Sequence, residues 1–147
     1  MEQQSATGAE PSLRQEDHLV VVAAAVVEQG RLLVVSKKAA PEVFYLPGGK
    51  PDPGETPAEA LARELDEELG VYPVEPQLLA DIEAVAALEK VPMRMTVFTA
   101  GISNLPQPAA ELADMRWING DEPDVQLAPA VRDQVIPLLK RSGLLAA

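Results

Sequence analysis

Hydrophobic residues in this chain form short runs separated by turn residues, a pattern that predicts β-strands before and after one long helix. Leu19–Val27 and Arg31–Ser36 are rich in valine, leucine and alanine, and the turn at residues 28–30 predicts that they form a hairpin. A third run, Val43–Leu46, leads directly into a loop that contains Gly48 and Gly49. The first fifty residues therefore predict strands and a glycine loop.

The segment Pro57–Leu69 has the start and stop signals of an α-helix. Thr56 is suited to the N-cap, and Glu59, three residues later, completes a capping box. Gly70 is suited to end the helix, and leucines at every fourth position from 61 to 69 provide its apolar stripe. These signals predict a helix over the whole segment.

The second half of the chain again consists of hydrophobic runs separated by turn residues. Strands are predicted over Gln77–Ala86, Arg94–Ile102 and Met115–Ile118, with a loop over Pro106–Ala110. Pro129–Arg141 is predicted as a closing amphipathic helix that Pro137 kinks. This order of elements predicts an α/β sandwich with a mixed sheet rather than a parallel doubly wound sheet.

Length and composition exclude several classes of protein. A chain of 147 residues suits one domain, for which we predict residues 18–147, preceded by a polar, flexible arm over 1–17. The arm has neither the basic start nor the apolar stretch of a signal peptide, and this predicts a cytoplasmic protein. The net charge of −11 argues against nucleic-acid and membrane partners. Cysteine chemistry is excluded by composition, and His18 is predicted to be a bystander.

The acidic residues are concentrated around the predicted helix. Residues 49–71 contain seven of them against two basic residues, and Glu64, Glu67 and Glu68 share one sector of the helix. Like charges at this spacing destabilise a helix unless something offsets them, and a hard divalent cation such as Mg²⁺ or Mn²⁺ would do so. The alternative is a solvated acidic surface, which is what most acidic helix faces are.

The spacing of the surrounding residues favours a cation site over a solvated acidic surface. Nine restricted positions match the Nudix box, and these are Gly49, Glu55, Arg63, Glu64, Leu65, Glu67, Glu68, Gly70 and Val71. With the order of elements from Leu19 to Arg141, the chain resembles the Nudix hydrolase family. The resemblance implies an α/β/α sandwich and the hydrolysis of nucleoside diphosphates linked to another group, with Mg²⁺ as the metal and Mn²⁺ as a substitute.

The resemblance also implies roles for individual residues. The implied metal ligands are Glu64, Glu67 and Glu68 with the carbonyl of Gly48 or Gly49, and in MutT-like members a late loop glutamate, here Glu111. Glu64 would also activate the attacking water, and Arg63 and Glu55 would orient the Glu64 side chain. Candidate substrate contacts are Lys50, Lys38, at the end of the second strand, and Tyr45. Trp117 is predicted to belong to the core.

The substrate is chosen partly by elimination. Features of diadenosine-polyphosphate, ADP-ribose and coenzyme A hydrolases are absent or displaced, which leaves a (deoxy)nucleoside triphosphate that is cleaved to a monophosphate and pyrophosphate. ADP-ribose or a nucleotide sugar is the alternative substrate. A further alternative is a Nudix domain that senses a nucleotide without turnover, although no box carboxylate is missing. The expected partner is thus a small nucleotide, and a homodimer remains open.

Overall fold

The computed structural model describes residues 19–146, and these form two β-sheets packed between two helices. The predicted arm over 1–17 and His18 lie outside the described residues. Nine strands and two α-helices follow one another within the described range. They are β1 Leu19–Ala25, β2 Val27–Glu28, β3 Arg31–Lys37, β4 Ala40–Tyr45, β5 Gly48–Gly49, α1 Pro57–Leu69, β6 Pro73–Val85, β7 Pro92–Ile102, β8 Leu112–Ile118, β9 Gln126–Leu127 and α2 Ile136–Arg141.

The first sheet has the order β5-β1-β7-β6. Strands β1 and β7 are parallel, and the two outer pairs are antiparallel, so this sheet is mixed as predicted. In the second sheet β2, β3, β4 and β9 lie side by side, and β8 pairs with the other edge of β3. The α/β fold class with mixed sheets is therefore confirmed.

Strands β1 and β3 are buried on both faces, which explains their nearly continuous hydrophobic sequences. Val22, Ala24, Leu33 and Val35 face α1, and their neighbours in the sequence face the opposite core, where Val135 and Leu139 pack. A helix thus covers each side of the strands. The sandwich has the three layers that were expected.

The predicted helix over Pro57–Leu69 is confirmed to the residue. Thr56 and Glu59 form the reciprocal capping box, and Gly70 takes the left-handed conformation that ends the helix. Leu61, Leu65 and Leu69 are fully buried against the sheet. Since these leucines fix the rotation of α1, the acidic residues between them have defined directions.

Several boundaries differ from the predictions. The strand predicted over Leu19–Val27 breaks at Val26 into β1 and β2, and β6 begins at Pro73 rather than Gln77. The closing helix is also divided, because a π-helical turn over Val131–Val135 precedes α2. Pro137 lacks the N–H that a regular helix would use, and the π-helical turn lies at the predicted kink.

Candidate active site

The glycine loop lies between β1 and the second half of α1. Gly48 and Gly49 pair with Ala23 and Val22, so their backbone is held at the edge of the first sheet. A Cβ atom at Gly48 would collide with the Val22 carbonyl, and one at Gly49 would collide with the carboxyl group of Glu64. Glycine at 48 therefore lets the loop approach the backbone of β1, and glycine at 49 leaves the Glu64 carboxyl group its place beside the loop.

Two carboxylates of α1 meet this loop. The N–H of Gly48 donates a hydrogen bond of 3.2 Å to Oε1 of Glu68, which is 9% exposed. The side chain of Glu64 is 15% exposed and lies directly above Gly49. The helix thus presents two partly desolvated carboxylates to a backbone turn.

Arg63 connects the loop after Gly49 to the helix. Its Nε and Nη2 donate to the two oxygens of Glu55 at 2.8 and 3.0 Å, and Nη2 also donates to the carbonyl of Lys50 at 2.9 Å. Its Nη1 donates to Glu64 at 3.1 Å. Glu55 in turn accepts from the N–H of Asp52 at 2.7 Å. This network positions the Glu64 carboxylate from the side.

Glu67 is different from its two neighbours. Its side chain is 56% exposed and lies 3.4 Å from Nη1 of Arg63 at the i,i+4 spacing. The three glutamates that the sequence placed in one sector therefore have two environments. Two are partly buried at the glycine loop, and the third is solvated at the rim.

Burial raises the pKa of both inner carboxyl groups. Desolvation raises the pKa of Glu68 to about 7, and the nearby charge of Glu64 acts in the same direction. Desolvation also raises the pKa of Glu64, although Arg63 opposes it. By contrast, hydrogen bonds from Arg63 lower the pKa of Glu55. The site therefore holds two carboxylates with proton affinity above normal next to one that stays ionised.

The donors fit a hard divalent cation in type, since all are carboxylate or carbonyl oxygens. The glycine loop supports the fit, because it leaves room for the Glu64 carboxyl group where a side chain at Gly49 would displace it. Within residues 19–146, no three acidic or histidine side chains already form a closed cation cage. The side chains of Glu67 and Glu111 would thus have to turn toward Glu64 and Glu68 to complete one.

A mainly apolar cavity opens beside the glycine loop. Its wall includes Gly48, Gly49, Lys37 and Tyr45, and the remainder comes chiefly from β1, the β6–β7 turn, β7 and the residues after β9. The apolar part of the lining consists mainly of Val21, Ala23, Leu46, Ala86, Met93, Met95, Ala128, Ala130 and Val131. A ligand with an apolar part in the cavity and a polar part at the glycine loop would match this arrangement.

The structure places Lys37, rather than Lys38, at the cavity. Lys37 lines the wall, and its Nζ lies 3.7 Å from Oε1 of Glu111, whereas Lys38 is exposed and outside the lining. Strand alternation alone could not have predicted this placement, because the register of β3 is irregular between Ser36 and Lys37. Lys50 is also exposed and outside the lining, and it contributes its carbonyl to Arg63.

The remaining predicted residues are divided between the cavity and the core. Tyr45 lines the cavity, while its neighbour Phe44 is buried in the core, as expected for successive strand residues. Trp117 packs against the α1 side of the core, which agrees with its predicted role. The side chain of Glu111 is 76% exposed and is paired with Lys37, near enough for its charge to raise the pKa of Glu68 further.

Comparison with known proteins gives matches to a single family. The family model of the NUDIX domain matches residues 17–139. The crystal structure of MutT NUDIX hydrolase from Burkholderia pseudomallei is 31% identical over 78% of this chain and 93% of that chain, with a TM-score of 0.69. The chain therefore belongs to the Nudix hydrolase family.

Two curated relatives match over shorter segments that cover part of the chain. Human 8-oxo-dGDP phosphatase NUDT18 is 40% identical over 73 residues, which are 48% of this chain and 22% of the relative. The Mycobacterium tuberculosis protein named "Putative 8-oxo-dGTP diphosphatase 2" is 49% identical over 55 residues, which are 35% of this chain and 39% of the relative. The matched segments thus span well under half of the length of either relative.

No helix within residues 19–146 combines the length and apolar character that crossing a bilayer requires.

Proposed function

We propose that this chain is a Mg²⁺-dependent pyrophosphohydrolase that cleaves a (deoxy)nucleoside triphosphate to the monophosphate and pyrophosphate. The observation that carries the proposal is the meeting of two partly buried carboxylates, Glu64 and Glu68, with a glycine loop at the edge of an apolar cavity. The carboxylates suit the metal and phosphate end of a nucleotide, and the cavity suits the base.

The relatives suggest which base to test first. Both curated relatives are named for 8-oxo-deoxyguanosine nucleotides, one for the diphosphate and the other for the triphosphate. We therefore place 8-oxo-dGTP and 8-oxo-dGDP at the head of the substrate panel, followed by the unmodified nucleotides. ADP-ribose and a nucleotide sugar belong in the same panel, because the box residues would serve any phosphoric anhydride.

Glu64, Glu67 and Glu68, a carbonyl of the Gly48–Gly49 loop and Glu111 are the groups that would hold magnesium. Bound there, the metal would supply positive charge to offset the charge of the phosphates. Lys37 is placed to add a further positive charge on the cavity side. A chain with a net charge of −11 needs such cations before it can bind a polyanion.

In the proposed reaction, the oxygen of a water molecule bonds to a phosphorus atom while the anhydride P–O bond on its far side breaks. Glu64 accepts the proton that the water loses, and burial favours this because it raises the pKa of the carboxyl group. Arg63 holds Glu64 from the side and is itself fixed by Glu55. Pyrophosphate leaves with the bridging oxygen.

The test is a nucleotide panel with magnesium or with chelator, with products separated by ion-exchange chromatography. Magnesium-dependent release of a monophosphate and pyrophosphate from a nucleoside triphosphate is the expected result. Faster cleavage of ADP-ribose or a nucleotide sugar would replace the proposed substrate with the alternative. Nucleotide binding without turnover of any substrate would instead identify a sensor domain.

A further inference from the structure

The hydroxyl group of Tyr45 is buried and lacks a hydrogen-bond partner among residues 19–146. Its ring is half-buried and packs against both core clusters, one on each side of the strands. Burying a hydroxyl without a partner is unfavourable, so an apolar ring of the same shape would suit the free protein better. The position of the hydroxyl therefore indicates a partner that arrives with a ligand.

The surroundings of Tyr45 keep this hydroxyl protonated. Burial raises its pKa, and the charges of Glu68, Glu89 and Glu111 raise it further, so the group keeps its proton. A protonated phenol near these carboxylates can donate a hydrogen bond, which the carboxylates cannot.

Tyr45 also stands at the boundary between the two halves of the site. Its ring lines the apolar cavity together with Gly48 and Gly49, whose loop meets Glu64 and Glu68. The Nζ of Lys37 lies 5.9 Å from the centroid of the ring. Since lysine has a long flexible side chain, an incoming phosphate could draw this ammonium group away from the ring.

We propose that the Tyr45 hydroxyl donates a hydrogen bond to the phosphate attached to the nucleoside, and that it thereby positions this phosphate at the boundary between the cavity and the carboxylates. The inference rests on the proposed function, because it requires a nucleotide in the cavity. The hydroxyl is thus unfavourable in the free protein and favourable in the complex. A residue with a merely structural role would not combine these two properties.

The experiment compares wild type with Tyr45→Phe and with Tyr72→Phe, which changes the other tyrosine of the chain, an exposed one. Calorimetric titration with magnesium measures binding of dGMP, of deoxyguanosine and of the α,β-methylene analogue of dGTP. Thermal unfolding of the three free proteins is recorded alongside, and kcat and KM are measured on the best substrate of the panel.

Tyr45→Phe should weaken binding of dGMP and of the methylene analogue about tenfold, as expected for one hydrogen bond to a charged group. It should leave deoxyguanosine binding unchanged and raise the unfolding temperature of the free protein by about 2 to 5 °C. Tyr72→Phe should change neither affinity nor unfolding temperature.

Equal losses for dGMP and deoxyguanosine would overturn the inference alone, since the contact would then be to the nucleoside. Unchanged dGMP binding, or a lower unfolding temperature for Tyr45→Phe, would also overturn it while wild-type turnover still supports the proposed function. If wild type neither binds nor cleaves a nucleotide, the proposed function fails, and the inference fails with it.

Discussion

The N–H of Gly48 donates to the carboxylate of Glu68 across 3.2 Å, although twenty residues separate the two along the chain. This bond joins the glycine loop to the inner face of α1, so the position of the loop and the rotation of the helix depend on each other. The carboxyl group of Glu64 lies against the same loop at Gly49 and is held there by Arg63. The geometry of the candidate site is thus a property of the contact between loop and helix.

Gly49→Ala tests that contact. The added methyl group would displace the Glu64 carboxyl, and a misplacement of about 1 Å can cost about 100-fold in rate. We therefore expect kcat to fall by about that factor while the protein still folds, as judged by thermal unfolding. Gly101→Ala is the matched control, because a Cβ there meets Val74 at an ordinary 3.6 Å. Equal kinetics for the two variants would contradict the proposed placement of Glu64.

Glu68→Gln should stabilise the metal-free protein at high pH. The pKa of Glu68 is about 7 in the folded protein against an ordinary value of 4.5, so the folded state binds the proton more tightly than the unfolded state. This contribution to stability is complete below pH 4.5 and is lost as the pH rises through 7. Glutamine has no charge to desolvate, so the variant should gain about 1 to 3 kcal/mol over wild type at pH 8 and much less at pH 4.5.

The measurement for Glu68→Gln is urea unfolding in the presence of chelator at the two pH values, with Glu67→Gln as the control on the exposed neighbouring carboxylate. A gain for Glu68→Gln that is the same at both pH values would show that burial does not raise the pKa. With magnesium and substrate present, both variants should lose turnover by orders of magnitude if the two groups hold the metal.

Glu111→Gln should lower kcat by about 10- to 100-fold, the range for one positioned catalytic group, and should change KM little. The reason is that magnesium takes six ligands in near-octahedral geometry, more than one helix offers. Glu83→Gln is the control, since Glu83 is equally exposed but lies on β6 and pairs with Arg94. Wild-type kinetics for Glu111→Gln would assign this glutamate to pairing with Lys37 alone.

Lys37→Met should raise KM for the nucleotide about tenfold, because it removes the ammonium group at the cavity wall while keeping an apolar side chain of similar length. Lys38→Met should raise it by much less, because that side chain is exposed outside the lining. Steady-state kinetics at two salt concentrations checks both, since a phosphate contact weakens with salt. A larger effect at Lys38 would restore the original prediction for that lysine.

The helix and its acidic face could be predicted because their signals are local. Thr56, Glu59 and Gly70 act within one turn of the helix ends, and the leucine stripe needs only the helical period. For the same reason the box residues could be recognised by spacing alone. Strand ends were less accurate, as at Pro73, because pairing with β7 rather than the local sequence decides where β6 begins.

The sequence by itself thus determined the mixed α/β architecture, the capped helix and the presence of Glu64, Glu67 and Glu68 on one side of it. Tertiary structure alone decided which of the three are desolvated, because burial depends on the glycine loop that β1 holds against α1. It likewise decided that Lys37 rather than Lys38 meets the cavity and that the Tyr45 hydroxyl lacks a partner among residues 19–146. These properties arise where distant segments meet, and neither residue type nor period encodes the distances between them.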